Sequence, residues 1–160
     1  MKSKKKGFTL IEISVVTGII GILAAFAVAQ YFSYIARTQV TRVMFETSTI
    51  RMAIEDCKLN GTSAEHCYIR WKSNSLIANT DEAARILAST ADTSTVIPSW
   101  QKGLSVSGFD TETPVIKAIF SKNTASPLHN KQLTWMRKEN GTWDCAVNVN
   151  SALKPSSCRN

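Results

Sequence analysis

The stretch GFTLIEISVV, residues 7–16, opens the segment that decides how this chain is organised. It begins an apolar run from Phe8 to Ala29, 22 residues whose single charge is the carboxylate of Glu12. As an α-helix the run would be roughly 33 Å long, which is enough to cross the hydrocarbon core of a bilayer. The segment therefore predicts a helix that lies in an apolar environment and not in water.

The segment has two ordinary interpretations, a secretory signal and a membrane anchor. A secretory signal is cut at small residues after its apolar core, and the small residues between Ala24 and Ala29 leave that alternative open. The run is longer than a typical signal core, however. Glu12 points to a more specialised segment, because a carboxylate within a membrane helix is costly and marks a functional residue whose partner must be identified.

The length of 160 residues is suitable for one domain and an additional segment. Hydrophobic residues make up 44% and charged residues 19%, which excludes a disordered chain and a polytopic membrane protein. Four of the seven surplus positive charges are lysines in the first six residues, so the remainder is only mildly basic. The sequence has no GxSxG, P-loop or HExxH motif, and we do not expect an enzyme or a cofactor.

The four cysteines are Cys57, Cys67, Cys145 and Cys158. No CxxC pair occurs and the two histidines are far apart, so disulfides are favoured over a metal site. Three pairings are possible. We favour Cys57–Cys67 and Cys145–Cys158 because each pair brackets a loop-like run. Disulfides place the folded part outside the reducing cytoplasm.

The pattern after Ala29 changes from uniformly apolar to amphipathic. Seven residues recur at steps of four and three, which places them on one face of a helix that ends at Asn60-Gly61: Ala36, Val40, Val43, Thr47, Ile50, Ile54 and Cys57. A free amphipathic helix or a coiled-coil dimer could carry the same stripe. We favour a helix that packs on its own domain, since about a hundred residues follow.

The rest of the chain predicts an α+β domain. Residues 62–98 form a polar connector with a short helix expected at 81–88. Strands are predicted at 104–108, 115–120, 132–138 and 142–147, with Asn140-Gly141 as a hairpin turn. We expect a small antiparallel sheet of three or four strands on the long helix. Trp135 and Trp143 should pack or pair across strands.

Several of these features together resemble type IV pilins, specifically the type IVa group. Residues 7–12, preceded by lysines and followed by the apolar segment 19–27, resemble the prepilin processing site and transmembrane helix. Residues 36–42 resemble the stretch after that helix, and residues 141–158 resemble the C-terminal disulfide loop. The resemblance implies the pilin fold, with a leader (1–7), a transmembrane or filament-core helix (8–29), its amphipathic half (30–58) and a globular head (59–160).

The resemblance also implies how the N-terminus is processed. A prepilin peptidase would cut between Gly7 and Phe8 and methylate the new amine of Phe8. Glu12 would pair with the Phe8 ammonium of a neighbouring subunit; the alternative is an inert carboxylate at the membrane surface. Many relatives carry proline where this chain has Ala29. We therefore predict that any stretch that unwinds in the fibre lies between Gly18 and Ala29.

The implied function is that of a structural subunit of a type IV pilus used for adhesion, twitching motility or both, and we expect it to be the major subunit. The subunit would reside in the inner membrane before assembly and then in a helical homopolymer on the bacterial surface. Its partners would be itself, the prepilin peptidase and the pilus assembly machinery. The alternatives are a minor pilin with a DNA-uptake or adhesin role and a type II secretion pseudopilin, which usually lacks the C-terminal disulfide loop.

Two sets of head residues are candidates for binding. In some related pilins the C-terminal loop contacts host glycans, and the polar residues that could do so here are Asn148, Asn150, Ser151, Lys154, Ser156 and Ser157. A merely capped chain terminus is the simpler interpretation. DNA would require a basic patch, and the candidates are Lys117, Lys122, Lys131, Arg137 and Lys138. Ordinary solvated charge explains this second set more simply.

Overall fold

The computed structural model describes residues 7–64, 66, 67, 69, 74–79 and 103–158. Within them one long α-helix precedes a four-stranded antiparallel sheet. The elements are α1 (Leu10–Leu59), β1 (Leu104–Ser107), β2 (Val115–Ile119), β3 (Gln132–Arg137) and β4 (Trp143–Val147), with two 3₁₀ turns at Ser126–Leu128 and Ser151–Leu153. The predicted α+β architecture is confirmed.

The second half of α1 packs against the sheet through one face. The buried residues of α1 are the seven that the spacing predicted, from Ala36 to Cys57. Because the six apolar ones form one hydrophobic core with the inner face of the sheet, the amphipathic pattern belongs to an intramolecular contact. The free-helix and coiled-coil alternatives are therefore wrong for this half.

The sheet is a simple meander in the order β1-β2-β3-β4. Ile116 lies opposite Trp135, which in turn lies opposite Cys145, and all three side chains are buried. Alternate residues of β3 accordingly face α1 and solvent, as the period of two requires. Gly141 adopts a φ of 81° in the turn between β3 and β4, a conformation that glycine tolerates and other residues avoid.

Both tryptophans pack on α1, and neither faces the other across the sheet. Trp135 donates its indole N–H to the hydroxyl of Thr47 over 2.9 Å, in a buried contact. Trp143 lies opposite Arg137 and donates to Oε1 of Glu55 over 2.7 Å. The Trp135 ring is buried and the Trp143 ring is partly buried, and each indole N–H is bonded to a side chain of the helix. The expected packing is confirmed.

Both predicted disulfides are present. Cys57–Cys67 joins the end of α1 to the start of the connector, and Cys145–Cys158 joins β4 to the C-terminal segment. Further along the connector, Ile77 forms an isolated bridge with Phe120 at the end of β2. Gly103 returns so close to this segment that a Cβ would lie 2.5 Å from the carbonyl oxygen of Ala78. The short helix predicted at 81–88 lies outside the described residues.

Candidate assembly surface

The first half of α1 extends beyond the head, and every residue from Leu10 to Tyr34 is exposed in the described structure. Its large apolar side chains, from Leu10 to Tyr34, are between 47% and 87% exposed. Among the described residues, α1 is the one helix long and apolar enough to cross a membrane, with a mean hydropathy of 2.3 in its most apolar window. An apolar surface of this extent marks an interaction with lipid or with protein.

The helix begins with a reciprocal cap that joins Thr9 to Glu12. The Thr9 backbone N–H and hydroxyl both donate to Oε2 of Glu12, over 2.9 and 2.6 Å. The Glu12 N–H donates in turn to the Thr9 hydroxyl over 3.4 Å. This capping box satisfies groups that would otherwise be unpaired at the helix start. It also turns the carboxylate of Glu12 back towards the N-terminus.

Our sequence reasoning missed this cap although its signal was present. Thr9 stands three residues before Glu12, which is the T-x-x-E spacing of a capping box. Among the described residues no basic side chain lies within ion-pair distance of Glu12. The carboxylate is therefore hydrogen-bonded within its own chain and carries a charge that the described residues leave uncompensated.

The predicted processing junction lies in exposed, non-helical chain. Gly7 and Phe8 immediately precede the capping residue, and the Phe8 side chain is exposed. A Cβ placed on Gly7 would meet nothing within 4 Å. The peptide bond between them is thus free of the helical hydrogen bonds that shield α1 from a protease.

The two glycines of the apolar half do not interrupt α1 in the isolated chain. Gly18 and Gly21 lie within the continuous helix and have open space around them. The Ser14 and Thr17 hydroxyls bond back to the carbonyls of Ile11 and Ile13, both over 3.0 Å, as expected for polar residues in an apolar helix. The stretch predicted to unwind concerns the assembled fibre and stays a prediction.

The C-terminal loop is fastened to α1. The guanidinium of Arg37 donates to the carbonyl oxygen of Ala152, with Nε at 3.2 Å, and Leu153 is buried beneath the turn. Asn150 uses its side-chain oxygen to accept from the Ala152 N–H over 3.0 Å. Ser157 lies against Met44, with its hydroxyl 3.4 Å from the Met44 sulfur. Part of the predicted receptor set therefore serves the loop itself.

The structure divides the receptor candidates into two places. Asn148 and Lys154 line an open groove of about 360 Å³ together with Gln132 and Thr134 of β3. Ser156 and Ser157 are exposed on the part of the loop that reaches Met44. Gln132 and Thr134 escaped the sequence analysis, because only the pairing of β3 with β4 brings them beside the loop.

The candidate basic residues for DNA binding lie in different surroundings, and two of them, Arg137 and Lys138, form ion pairs. The Arg137 side chain is only 14% exposed and its Nε lies 2.7 Å from Oε1 of Glu55. Lys138 pairs with Asp144 over 2.7 Å near the hairpin turn, whereas Lys122 lines a cavity beside Phe32 near the other end of the head. Arg137 is a structural cation between the sheet and α1.

The ion pair of Glu55 and Arg137 shifts the pKa of both side chains. Burial raises the pKa of Glu55, but the hydrogen bonds from Arg137 and Trp143 and the nearby positive charges outweigh it, so the pKa lies below its ordinary value. The hydrogen bond to Glu55 raises the pKa of Arg137 in turn. The pair is therefore charged at neutral pH and joins α1 to the sheet.

No group of three His, Cys, Asp or Glu side chains that could hold a metal ion occurs in the part of the chain that the structure describes. The four cysteines are all consumed by disulfides.

Comparison with known proteins gives matches over the whole chain. Residues 36–159 match the family described as "Pilin (bacterial filament)", and residues 2–28 match the prokaryotic N-terminal methylation motif. A type IV major fimbrial protein FimA of Dichelobacter nodosus is 44% identical over 161 residues, covering 99% of each chain. A probable minor fimbrial protein of the same organism is 34% identical, covering 98% of this chain and 96% of the relative. A fimbrial protein of Pseudomonas aeruginosa is 31% identical, covering 95% and 92%.

Proposed function

The chain belongs to the pilin family of bacterial filament proteins, and on that premise we propose that it is the major subunit of a type IV pilus. It polymerises into a helical homopolymer on the bacterial surface that serves adhesion, twitching motility or both. The observation that carries the proposal is the exposed apolar half of α1, which begins with a capped carboxylate and has no partner among the described residues. We infer that lipid covers this apolar surface before assembly and that identical helices cover it afterwards.

Processing creates the cation that the helix needs. A prepilin peptidase cuts between Gly7 and Phe8 and methylates the amine of Phe8. The exposed, non-helical chain at this junction supports the proposal, as does the match to an N-terminal methylation motif. Cleavage leaves the new ammonium next to Thr9, at the same end of the helix as the Glu12 carboxylate.

Glu12 then selects a correctly staggered neighbour. A carboxylate in an apolar bundle is stable only when it is paired and hydrogen-bonded. The cap from Thr9 supplies two hydrogen bonds and aims the carboxylate towards the chain terminus, where the Phe8 ammonium of an adjacent subunit can reach it. A misplaced subunit would leave both charges unpaired in the filament core.

The location of the subunit changes during its life. Before assembly the apolar half of α1 holds it in the inner membrane, with the disulfide-bonded head on the oxidising side. The pilus assembly machinery then extracts it into the surface fibre. The relatives with the higher identities carry the name of a major fimbrial protein.

The test is to shear surface fibres from the cells and to determine the N-terminal residue and mass of their main component. We expect a chain that begins with a methylated Phe8 and forms most of the fibre mass. A main component that begins at Met1, or beyond Ala29, would overturn the proposal. A correctly processed but scarce chain would favour the alternative of a minor pilin, the name that other relatives carry.

Adhesion through sugars is a second proposal, carried by the groove that joins Asn148 and Lys154 to Gln132 and Thr134. Amide, hydroxyl and ammonium groups around one concavity can bind the hydroxyls of a host glycan. The test compares purified fibres with a K154A/N148A variant on a glycan array. An S156A variant, altered on the other part of the loop, is the control. Equal binding by all three, or none, would remove the adhesin role.

A further inference from the structure

The side of α1 that faces away from the sheet carries a second stripe of residues. Adding two positions to each residue of the buried stripe gives the opposite side of the helix, since two residues correspond to about 200° of rotation. All seven residues on this side are exposed, and we call them the outer stripe: Thr38, Arg42, Phe45, Thr49, Met52, Asp56 and Leu59. Its large apolar members, Phe45, Met52 and Leu59, are 73%, 60% and 85% exposed. Their spacing of seven residues places them in one row along the helix.

Hydroxyl groups on this side of α1 are already bonded within the helix. The Thr38 hydroxyl donates to the carbonyl oxygen of Tyr34 over 2.9 Å. The Thr49 hydroxyl donates to the carbonyl oxygen of Glu46 over 2.7 Å. A polar group costs free energy on burial when it loses its hydrogen bonds to water without replacement. Both hydroxyls would keep a partner if another molecule covered the outer stripe.

Three charged residues lie among the residues of the outer stripe, and each has a partner in its own chain. The Arg51 guanidinium lies 4.7 Å from the centroid of the Trp135 ring. Glu46 pairs with Arg42 over 2.8 Å, and Glu55 is held in the ion pair with the sheet. Arg51, Glu46 and Glu55 are accordingly only partly exposed. The surface around the large apolar side chains can therefore be covered without separating these charges from their partners.

The outer stripe lies beyond the bilayer that the apolar half of α1 can span. Phe45 follows Ala29, the end of the apolar run, by 16 residues, or roughly 24 Å of helix. Leu59 lies roughly 21 Å further along. The apolar run by itself is long enough for the hydrocarbon core. In a membrane-held subunit the outer stripe therefore lies in water, which leaves protein as the molecule that can cover it.

The apolar half of a second copy offers a surface of matching spacing. Gly18 and Ala25 are seven residues apart, as are Phe45 and Met52. A Cβ added to Gly18 would meet nothing within 4 Å, so the space beside this glycine is open. Small residues let two helices approach closely and leave room for the large side chains of the facing helix.

We propose that the outer stripe of each subunit packs, in parallel, against the apolar half of α1 from another copy, with Phe45 beside Gly18 and Met52 beside Ala25. The members of each pair are 27 positions apart, so the two copies are displaced by about 40 Å along the helix axis. The proposal rests on the proposed function, because the apolar half leaves the bilayer only when a fibre forms. The second half of α1 then binds its own head on one side and a neighbouring helix on the other.

This contact involves a different neighbour from the one that supplies the Phe8 ammonium to Glu12. Glu12 and Phe8 are four positions apart, so their pairing between copies needs a displacement of only about 6 Å. In the 40 Å register Asp56 lies opposite Ala29, where the apolar run ends. Its carboxylate is therefore at the edge of the contact, as is usual for charged groups at an interface.

The first experiment introduces the photoreactive residue benzoylphenylalanine at position 45 of the full chain and irradiates sheared fibres. Trypsin cuts after Lys and Arg, and the first such residue after Phe8 is Arg37, so peptide 8–37 reports the apolar half of α1. We expect a covalent dimer in which position 45 is joined to this peptide close to Gly18. The control carries the probe at Met136, which is 50% exposed on the other side of the sheet, and should give no link to peptide 8–37.

The second experiment compares two methionines of similar exposure, Met52 at 60% and Met136 at 50%. Met52→Ser and Phe45→Ser should each lower the ratio of fibre-borne to cell-bound subunit at least about tenfold, because a large apolar side chain is no longer buried between copies. Met136→Ser should stay within about twofold of the unaltered chain. Circular dichroism and the midpoint of denaturant unfolding should be unchanged in all three variants, since each altered side chain is exposed in the isolated subunit.

A probe at position 45 that links only to its own chain, to the head of another copy or to nothing would overturn the proposal. Normal fibre yields from both Phe45→Ser and Met52→Ser would also overturn it. In these cases the proposed function stands, provided that the fibres consist of the chain processed at Phe8. If no surface fibre contains this chain, the proposed function fails and this proposal fails with it.

Discussion

The two halves of α1 belong to one continuous helix, but their apolar side chains pack against different partners. From Ala36 to Cys57 a single face is buried on the sheet and the opposite face is exposed. From Leu10 to Tyr34 apolar residues lie on all faces of the helix, and the large apolar side chains are exposed. A periodic apolar stripe thus indicates that the helix packs on its own domain, whereas a uniformly apolar surface indicates that it binds lipid or another molecule.

Polar groups differ between the halves in the same way. In the second half, Thr47, Glu55 and Gln39 each bond to a residue of the head more than 80 positions away in sequence. In the first half, the charged group is Glu12, and its bonds go to Thr9 three positions away. The second half is held in one register by its own head. The first half must take its register from another molecule.

The largest effect should come from removing the charge of the first half. Glu12→Gln can still form the capping box but cannot pair with an ammonium, so it separates the cap from the charge. Loss of one partner of a buried charge pair costs on the order of 3–5 kcal/mol, more than a hundredfold in association. We expect normal cleavage and membrane insertion but very few fibres, counted by electron microscopy.

Glu12→Ala removes the cap as well and should be at least as defective as Glu12→Gln. Thr9→Ala, which loses the cap but keeps the charge, is the matched variant and should assemble better than either. Normal piliation by Glu12→Gln would contradict the pairing role of Glu12.

The next effect contrasts equivalent isoleucines in the two halves. Ile54 is fully buried and Ile20 is 58% exposed. Ile54→Ala should destabilise the head by about 2–5 kcal/mol, through lost burial and a cavity. Ile20→Ala should leave the unfolding of the head unchanged. Denaturant unfolding of the full chain in detergent, followed by tryptophan fluorescence, measures both. Similar losses in the two variants would show that the apolar half also folds onto the head.

Removing the Thr47 hydroxyl, which bonds the buried face of α1 to the sheet, should lower the free energy of unfolding by a smaller amount. Thr47→Val keeps the shape of the side chain but removes the acceptor of the Trp135 indole N–H. A buried donor without a partner costs about 1–3 kcal/mol. Thr49→Val, on the exposed side of the same helical turn, is the control and should stay within about 0.5 kcal/mol of the unaltered protein. The same unfolding measurement decides, and equal values for the two variants would show that the bond contributes nothing.

The smallest effect is a pH dependence of the head. Because the pKa of Glu55 is lowered in the folded state, its contribution is fully present above its ordinary value of 4.5 and is lost as pH falls through the folded value. Glu55→Gln should therefore reduce stability near neutral pH and make the decline towards acid shallower. Glu139→Gln, exposed beside the β3–β4 turn, should keep the original slope. Unfolding free energies measured across the acid range would reveal parallel curves if Glu55 made no such contribution.

Local patterns predicted a large part of this molecule. The seven-residue stripe, the four strands, the hairpin turn and both disulfides were read from spacing and residue type, and the structure confirms them. The cap from Thr9 to Glu12 could have been read in the same way, since its two members are three residues apart. The ion pair of Arg137 could not be predicted in this way, because its partner Glu55 lies 82 positions away and only the packing of β3 on α1 brings the two side chains together.

The sequence by itself determined where the chain is periodic, where it is uniformly apolar and where it can be cut, because helical faces, strand alternation and motifs depend on neighbours within a few residues. Tertiary structure alone decided which charged residues pair with one another. It placed Arg137 in an ion pair with Glu55 and divided the C-terminal loop between a groove and α1. Electrostatic contacts act through space, so the order of residues along the chain does not reveal them.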